Sequence, residues 1–570
     1  MPDQPTDAVI RFEPDGYDLN RPWLLGRQSA GNGFLRAAVQ GRGEGPVYGY
    51  TPLKASAQMF ERMVRDFDPA AEPIWIHGEQ PERIGQTRGV LYIADPTLTT
   101  FARVRLRVGP ASYSLCGVTH TLASANMQQV LTELLSEAVT PWDALICTST
   151  GALKSVQLVL EAQGDFLKWR FGPQVRLQPP QLPIIPLGVH CRDFDIGEDE
   201  PHAARAKLGI APEEVAGLYV GRLVYAGKAH PLPMFLGLQA AAERTRQKLV
   251  LILCGRAPTE NIEAAYLAGA AKYAPDVRLV RVDSRDDDAR RSAWAAGDIF
   301  ISLADGIQET FGLTPLEAMA RGMPVLVSDY NGYRDTVRDG VDGFRVATWA
   351  PEAGMAGQTY ALRHELAAIT YDRYSWVVAA ATSVEMAELV DRLTLLVEQP
   401  DLRRTMGLAG QARARELFDW AHVFRQYQAL WADLNARRAA AAANPEDLAW
   451  AQAAPRAAPS RLDPFHTFGH YPTTRIGHAT QVALAEGVTL ETYRERARDD
   501  LFPGVVVPEV VVLPMWSELE NGPKTIKALA RVAQLSPDLA VVVVGTLAKM
   551  GLVVLRAATW SGETGDKAER

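Results

Sequence analysis

Two carboxylates, Glu309 and Glu317, lie eight positions apart in the stretch 308–325, whose residue types suit chemistry on an anion. Thr314 fits a helix N-cap, Pro315 fits the first helical position, and Glu317 lies three residues after the cap, which is a capping box. The N–H groups at such a helix start, with the positive end of the helix dipole behind them, suit a phosphate or diphosphate. The stretch therefore predicts an anion site beside two acidic side chains.

The same pattern has a purely structural interpretation, in which Glu317 only caps a helix and Glu309 is a solvated loop charge. The flanking sequence favours a site. Residues 298–303 read as a short buried strand before the loop, and 325–328 read as a second strand after the helix ends near 322–324. Open α/β sheets bind ligands where the carboxyl ends of parallel strands face helix N-termini. We therefore expect both glutamates to lie at a ligand site.

The run 298–346, with its Glu309-x7-Glu317 spacing, resembles the signature of retaining GT-B glycosyltransferases of family 4, the glycogen-synthase-like group. The resemblance extends over about residues 20–435 and is strongest in the second half. It implies an α/β fold of two Rossmann-like domains facing across a cleft. It also implies transfer of a sugar from a nucleotide-sugar donor to an acceptor hydroxyl, with retention of anomeric configuration.

Within this resemblance, Glu309 faces the donor sugar as a catalytic residue and Glu317 holds the nucleotide ribose. Asp335 stands where the family more often has Glu, and no role is assigned to it. The family also places an arginine and a lysine against the donor diphosphate, because their positive charge neutralises the leaving group. The predicted donor-binding residues are Arg222, Lys228, Glu317, Gly312, Leu313, Thr314 and Gly33. With these cations present, neither a metal nor a cofactor is expected.

The first part of the chain alternates strand-like and helix-like runs, as βαβ units do. Gly31-Asn32-Gly33 precedes a helical run and predicts a glycine-rich turn on the phosphate or acceptor side, but it lacks the last glycine of a dinucleotide fingerprint, which disfavours NAD. His120 closes a strand just before a helix. A lone histidine is usually structural, yet this position resembles the family's histidine near the donor sugar, so His120 joins Glu309 as a catalytic candidate.

Length and charge exclude some classes of function. A chain of 570 residues suits two or three domains, and a net charge of −8 argues against general nucleic-acid binding. The four cysteines lie far apart, which favours reduced core thiols over a zinc site or disulfides. Met1–Pro5 lacks the features of a signal peptide, and no apolar run reaches about 20 residues. We expect a cytoplasmic protein, either free or peripheral at the inner membrane.

The predicted domain boundaries follow from composition and from the resemblance. Residues 1–182 form an N-terminal Rossmann-like acceptor domain and 183–400 a C-terminal Rossmann-like nucleotide-sugar domain. Closing helices at 401–436 brace the first domain, and 437–460 reads as an Ala/Pro-rich linker. An insertion after Trp349, to about 383, has no assigned role.

An accessory tail, 461–570, resembles a winged helix-turn-helix from about residue 505. Its would-be recognition helix carries an apolar run, 541–544, whereas a reader of DNA needs several basic and amide side chains there. The helix therefore favours packing, homo-oligomer formation or a partner other than nucleic acid. Three histidines, His466, His470 and His478, suggest a metal site, but Gly469 and Pro472 break any helix that could align the first two.

Three other functions are compatible with parts of the sequence. A glycosidase needs two carboxylates flanking one bond, and a loop residue and a helix residue give no sign of that arrangement. A sugar-nucleotide-binding regulator acting through the tail is disfavoured by the acidic charge. A scaffold with a dead core is disfavoured by the intact Glu309, Glu317 and Arg222. The acceptor, whether a glycan, a lipid-linked sugar or a protein, is not specified by these motifs.

Overall fold

The computed structural model describes residues 6–20, 26–225, 227–501 and 507–556. The prediction made for Met1–Pro5 and the start of the predicted winged-helix region at about 505 lie outside them. The chain forms two compact units, Met1–Ala458 and Pro459–Arg570.

The first half of unit 1 is a doubly wound parallel sheet. Its strands have the order β3-β2-β1-β4-β5-β6, the Rossmann order, and every adjacent pair is parallel. The strands are β1 (Val9–Arg11), β2 (Val47–Thr51), β3 (Pro73–His77), β4 (Val90–Ile93), β5 (Ser114–Val118) and β6 (Ala144–Ile146). The helices are α1 (Pro14–Tyr17), α2 (Gly26–Gln40), α3 (Lys54–Phe67), α4 (Glu82–Thr87), α5 (Leu98–Arg105), α6 (Ala125–Glu133) and α7 (Thr150–Phe171).

The second half of unit 1 repeats this topology. Its strand order, β12-β11-β10-β7-β8-β9, is the Rossmann order read from the opposite edge, and the pairs are again parallel. The strands are β7 (Val215–Arg222), β8 (Leu249–Arg256), β9 (Val277–Asp283), β10 (Ile299–Ser302), β11 (Val325–Ser328) and β12 (Gly343–Val346). Its helices are α8 (Glu200–Lys207), α9 (Leu232–Thr245), α10 (Glu260–Tyr273), α11 (Asp287–Ala296), α12 (Leu313–Arg321) and α13 (Tyr333–Thr336). The predicted pair of Rossmann-like domains is confirmed.

The end of unit 1 is helical, and its longest helix packs back onto the first domain. In the insertion, α14 (Met355–Glu365) and α15 (Tyr371–Ala380) lie between two short paired strands, β13 (Thr348–Trp349) and β14 (Ser383–Val384). After them come α16 (Met386–Glu398), α17 (Pro400–Arg413), α18 (Trp420–Ala443) and α19 (Pro445–Gln452). The aromatic stripe of α18 is buried against residues of the first domain, and its members include Trp420, Phe424, Tyr427 and Trp431.

The segment 437–460 differs from the predicted linker. Most of it is helical, because α18 continues to Ala443 and Asn444 caps α19 through its side-chain oxygen. The Arg438 guanidinium donates to the Ser114 hydroxyl at 3.1 Å, and Trp450 packs edge to face on Trp142. Alanine is the best helix former, so an Ala-rich run with tertiary contacts forms helix rather than a flexible connection.

Unit 2 has its own core, in which three helices pack beside a small three-stranded antiparallel sheet. Its elements are α20 (Pro464–Thr467), β15 (Gln481–Leu484), α21 (Leu490–Ala497), α22 (Glu509–Glu520), β16 (Lys524–Thr525), α23 (Ile526–Val532), α24 (Pro537–Lys549) and β17 (Val553–Arg556). In the described part of the chain, no single helix is long and apolar enough to span a membrane. Only α23 and α24 taken together, bent by 104°, reach that length and composition.

Candidate functional site

A cavity of about 1330 Å3 lies between the two Rossmann-like domains of unit 1. Both domains line it, which places the predicted site residues in one space. Of those residues, the lining includes His120, Arg222, Lys228, Glu309, Gly312, Leu313, Thr314 and Glu317.

The positions of Arg222 and Glu309 follow from the strand order. Strands β7 and β10 are neighbours at the point where the sheet order reverses, and Arg222 is the last residue of β7. Glu309 lies in the loop that leaves β10 and leads into α12. Ligands of open α/β sheets bind at this reversal, outside the carboxyl ends of the strands.

Glu309 and Lys228 form an ion pair in the cavity. The Lys228 Nζ atom lies 2.9 Å from Glu309 Oε2, and the Glu309 side chain is only 9% exposed. Burial alone would raise the pKa of Glu309, but Lys228 and the backbone N–H groups of Phe311 and Thr310 bring that pKa below its ordinary value. Glu309 is therefore a buried carboxylate at neutral pH, held beside a cation.

Arg222 provides a second cation at the same edge. Burial lowers its pKa, while Tyr219, Glu309 and Asp372 act in the opposite direction, and an arginine so placed keeps its charge at neutral pH. A Cβ atom at Gly227 would lie 3.7 Å from Arg222 Nη2 and 3.2 Å from Gln308 Oε1. The absence of a side chain at Gly227 thus leaves space beside the guanidinium.

The start of α12 differs from the predicted capping box. The helix begins at Leu313, and its N-cap is Gly312, whose φ of 91° is a left-handed conformation that favours glycine. Within the described residues no side chain caps this helix, so the prediction of Thr314 as N-cap is wrong. A Cβ at Gly312 would lie 2.0 Å from the Tyr333 ring, so close packing of Tyr333 requires glycine there. The helix consequently begins two residues earlier than its sequence pattern indicates.

Glu317 lines the cavity without the predicted capping role. Burial raises its pKa from 4.5 to about 7, and the charges of Arg290 and Lys228 offset only part of that rise. The Glu317 carboxyl therefore titrates near neutral pH in the folded protein.

Replacing Glu317 by Gln is expected to make the stability of the ligand-free protein less dependent on pH between about 4.5 and 7. Because the folded-state pKa of Glu317 is raised, its protonated form stabilises the fold below about pH 4.5, and this contribution is lost as pH rises through about 7. The wild type should lose about 2 kcal/mol relative to Glu317→Gln between pH 5 and pH 8.5. Denaturation of both proteins at these pH values measures the difference. Asp305, whose pKa burial also raises to about 7, is present in both and cancels. If the difference in the free energy of unfolding between the two proteins does not change with pH, the raised pKa of Glu317 is contradicted.

His120 reaches the cavity from the first domain, just beyond the end of β5. Its Nε2 atom lies 2.9 Å from Asp95 Oδ2, and Asp95 follows β4. Burial alone would raise the pKa of Asp95, but its hydrogen bonds with His120 and Thr97 bring that pKa below its ordinary value. Asp95 was not predicted. The sequence signal for Asp95 is its position two residues after an apolar strand. The carboxyl ends of neighbouring parallel strands meet at one edge of a sheet, which brings residues that follow them together.

Gly33 does not line this cavity, and the predicted glycine-rich turn is wrong. Gly31, Asn32 and Gly33 are inside α2. A Cβ at Gly33 would lie 2.6 Å from the Trp420 indole nitrogen, and the Gly33 carbonyl lies 3.0 Å from His190 Nε2. Gly33 therefore allows α2 and α18 to pack closely. Residues 21–25, which precede α2, lie outside the described residues.

Asp335, which had no assigned role, joins the two domains. Its carboxylate accepts hydrogen bonds from the Thr150 N–H at 2.6 Å and the Thr150 hydroxyl at 2.7 Å, at the start of α7. Beside it, the Ser149 hydroxyl donates to the Thr310 carbonyl at 2.8 Å, and the Asn331 amide donates to the Glu309 carbonyl at 2.6 Å. These contacts hold the Glu309 loop against the first domain.

Residues 202–370 match the family model described as Glycosyl transferases group 1. The chain is 25% identical over 331 residues to an alpha-maltose-1-phosphate synthase of Mycolicibacterium smegmatis, a match covering 55% of this chain and 72% of that protein. It is 28% identical over 341 residues to a D-inositol 3-phosphate glycosyltransferase of Nocardioides sp., covering 56% of this chain and 63% of that protein. These matches support a glycosyltransferase.

The fold agrees with a solved structure of Anabaena Alr3699/HepE in complex with UDP and glucose. The TM-score is 0.50 at 15% identity, over 75% of this chain and 100% of that chain. The expected GT-B fold is thereby confirmed. Within the described residues, no group of three or more His, Cys, Asp or Glu side chains is arranged to hold a metal ion.

Proposed function

We propose that this chain transfers a sugar from a nucleotide-sugar donor to an acceptor hydroxyl, with retention of anomeric configuration, in the cavity between its Rossmann-like domains. The observation that carries the proposal is the meeting of Arg222, the Lys228–Glu309 ion pair and the start of α12 at the sheet reversal. Two cations and a helix N-terminus suit a diphosphate, and a buried carboxylate beside them suits a reacting carbon that gains positive charge.

The diphosphate is the leaving group in this reaction. As the bond between the sugar carbon and the phosphate oxygen breaks, negative charge grows on the diphosphate. Arg222 and Lys228 neutralise it, and the backbone N–H groups of Leu313 and Thr314 donate to it. These groups carry the charge that a metal carries in other transferases, so we propose that transfer needs no metal.

The acceptor oxygen bonds to the sugar carbon on the face that the diphosphate leaves, and its proton passes to the departing phosphate oxygen. Glu309, ionised and buried, stabilises the positive character of the sugar carbon. We propose that His120 contacts the donor sugar from the opposite side of the cavity. Asp95 fixes the His120 ring through the 2.9 Å hydrogen bond. Glu317 accepts hydrogen bonds from the ribose hydroxyls.

The proposal also covers the donor and acceptor, the place of the reaction in the cell and the role of unit 2. The Anabaena structure contains UDP and glucose, which makes uridine nucleotides the first donors to test. The acceptor is a glycan, a lipid-linked sugar or a protein, met in the cytoplasm or at the inner membrane surface. Unit 2, whose winged-helix character remains a prediction, would serve homo-oligomer formation or partner binding rather than nucleic acid.

Nucleotide binding tests the proposal. Thermal unfolding with UDP, GDP or ADP, each beside its nucleoside, should show that one diphosphate raises Tm more than its nucleoside does, because a ligand that binds only the folded state stabilises it. The corresponding nucleotide sugar should then release that diphosphate when incubated with the protein. If no diphosphate raises Tm beyond its nucleoside, the proposal fails.

A further inference from the structure

The insertion 350–383, which had no predicted role, forms a closed hairpin on the second domain. Its two ends are paired, with Thr348 opposite Val384 and Trp349 opposite Ser383. Helix α15 of this hairpin begins at Tyr371, capped by the Thr370 side chain, and Tyr371 lines the cavity. The insertion therefore contributes directly to the wall of the proposed donor site.

Helix α15 also packs on the loop that carries Lys228. The Trp376 ring lies 6.2 Å from the Tyr225 ring and 6.1 Å from the His230 ring, between centroids. Tyr225 in turn stacks on Tyr266 of α10 at 5.3 Å. Because Tyr225 and His230 flank Lys228 in sequence, the hairpin and the cationic loop form one packed layer.

The Tyr371 hydroxyl is a buried hydrogen-bond donor at the cavity wall. Its oxygen is buried, and no hydrogen bond of normal geometry reaches it from the described residues, although Gln308 and Ser375 lie nearby. Burial raises the pKa of Tyr371, so the hydroxyl keeps its proton at neutral pH and can donate a hydrogen bond. The Arg222 guanidinium is close enough to interact electrostatically with this ring. A buried donor within electrostatic range of a cation favours an anionic oxygen as its partner.

We propose that Tyr371 donates a hydrogen bond to a phosphoryl oxygen of the donor diphosphate, beside Arg222, so that the hairpin 350–383 is part of the donor site. This inference rests on the proposed function and adds a residue that the resemblance did not supply. The hydroxyl completes a set of donors around the leaving group: a guanidinium, an ammonium, helix N–H groups and a phenol. Its contribution is to binding and orienting the diphosphate.

Tyr371→Phe tests the inference, because it removes the hydroxyl and keeps the ring. Calorimetry of the wild type with UDP, GDP and ADP first identifies the diphosphate that binds most tightly. We expect Tyr371→Phe to weaken binding of that diphosphate about five- to tenfold and to leave binding of its nucleoside and the Tm of the ligand-free protein unchanged. Tyr374→Phe is the matched control, since Tyr374 lies on the same helix and stacks on His364 at 4.8 Å. It should bind both ligands as the wild type does.

Other outcomes would overturn the inference in distinguishable ways. Unchanged diphosphate affinity in Tyr371→Phe would show that the hydroxyl makes no phosphate contact. An equal loss of affinity for the nucleoside and the diphosphate would show that Tyr371 acts on the nucleoside part or on the fold, and not on the phosphate. A loss seen with the nucleotide sugar and absent with the bare diphosphate would assign the contact to the sugar. A wild type that binds none of the three diphosphates would overturn the proposed function itself.

Discussion

Glu309→Gln is expected to lower turnover at saturating donor by about 100- to 1000-fold. The substitution keeps the size of the side chain and removes the charge that would stabilise positive character at the sugar carbon, an interaction realised mainly in the transition state. Affinity for the bare nucleoside diphosphate should stay equal or rise, because Lys228 loses the carboxylate that neutralises it at 2.9 Å. Kinetics at saturating donor and calorimetry with the diphosphate measure the two effects separately.

Glu260→Gln provides the control for that experiment. Glu260 is an exposed residue in the first turn of α10, in the same domain. This variant should keep wild-type turnover and binding. Wild-type turnover in Glu309→Gln would remove Glu309 from the chemistry, and a large loss of diphosphate affinity would make it a binding residue instead.

Arg222→Ala should weaken nucleoside diphosphate binding by about 10- to 100-fold and change nucleoside binding by less than about twofold. The contacts that we propose for Arg222 are charge-assisted hydrogen bonds to phosphate, which a nucleoside does not offer. Arg222→Lys should recover part of the affinity, because an ammonium restores the charge without the planar fork. Titration calorimetry of both variants with the diphosphate and the nucleoside measures the difference.

Arg244→Ala is a suitable control, since Arg244 lies in the last turn of α9 and forms an exposed ion pair with Asp391 at 2.6 Å. Its loss should leave both ligands at wild-type affinity. Equal weakening of nucleoside and diphosphate by Arg222→Ala would argue that Arg222 supports the fold of the β7 end rather than the phosphate.

Much of the fold and several site residues could be predicted from the sequence, for one physical reason. Strands buried on both faces of a parallel sheet are short, continuous apolar runs, and the runs predicted at 298–303 and 325–328 contain the fully buried strands β10 and β11. Since the carboxyl ends of neighbouring strands meet at one edge, residues after β7 and β10 come together. That is how Arg222, Lys228 and Glu309 line one cavity although they are distant in sequence.

The predictions that were wrong depended on tertiary contacts that local patterns do not encode. Thr314 and Pro315 satisfy the capping pattern, but packing against Tyr333 and the left-handed Gly312 set the helix start. The spacing of Gly31 and Gly33 fits a phosphate turn, yet Gly33 serves close packing on Trp420. The role proposed for Tyr371 could not be read from the sequence, because it depends on where an inserted hairpin folds.

The most direct test of the central claim is the configuration of the sugar released from the donor. Proton NMR can follow wild-type protein incubated with the nucleotide sugar whose diphosphate it binds most tightly. The first sugar signal should be the anomer present in the donor, appearing before mutarotation mixes the two, and Glu309→Gln should produce it at least about 100-fold more slowly. First appearance of the opposite anomer, or equal rates in the two proteins, would contradict retaining transfer assisted by Glu309.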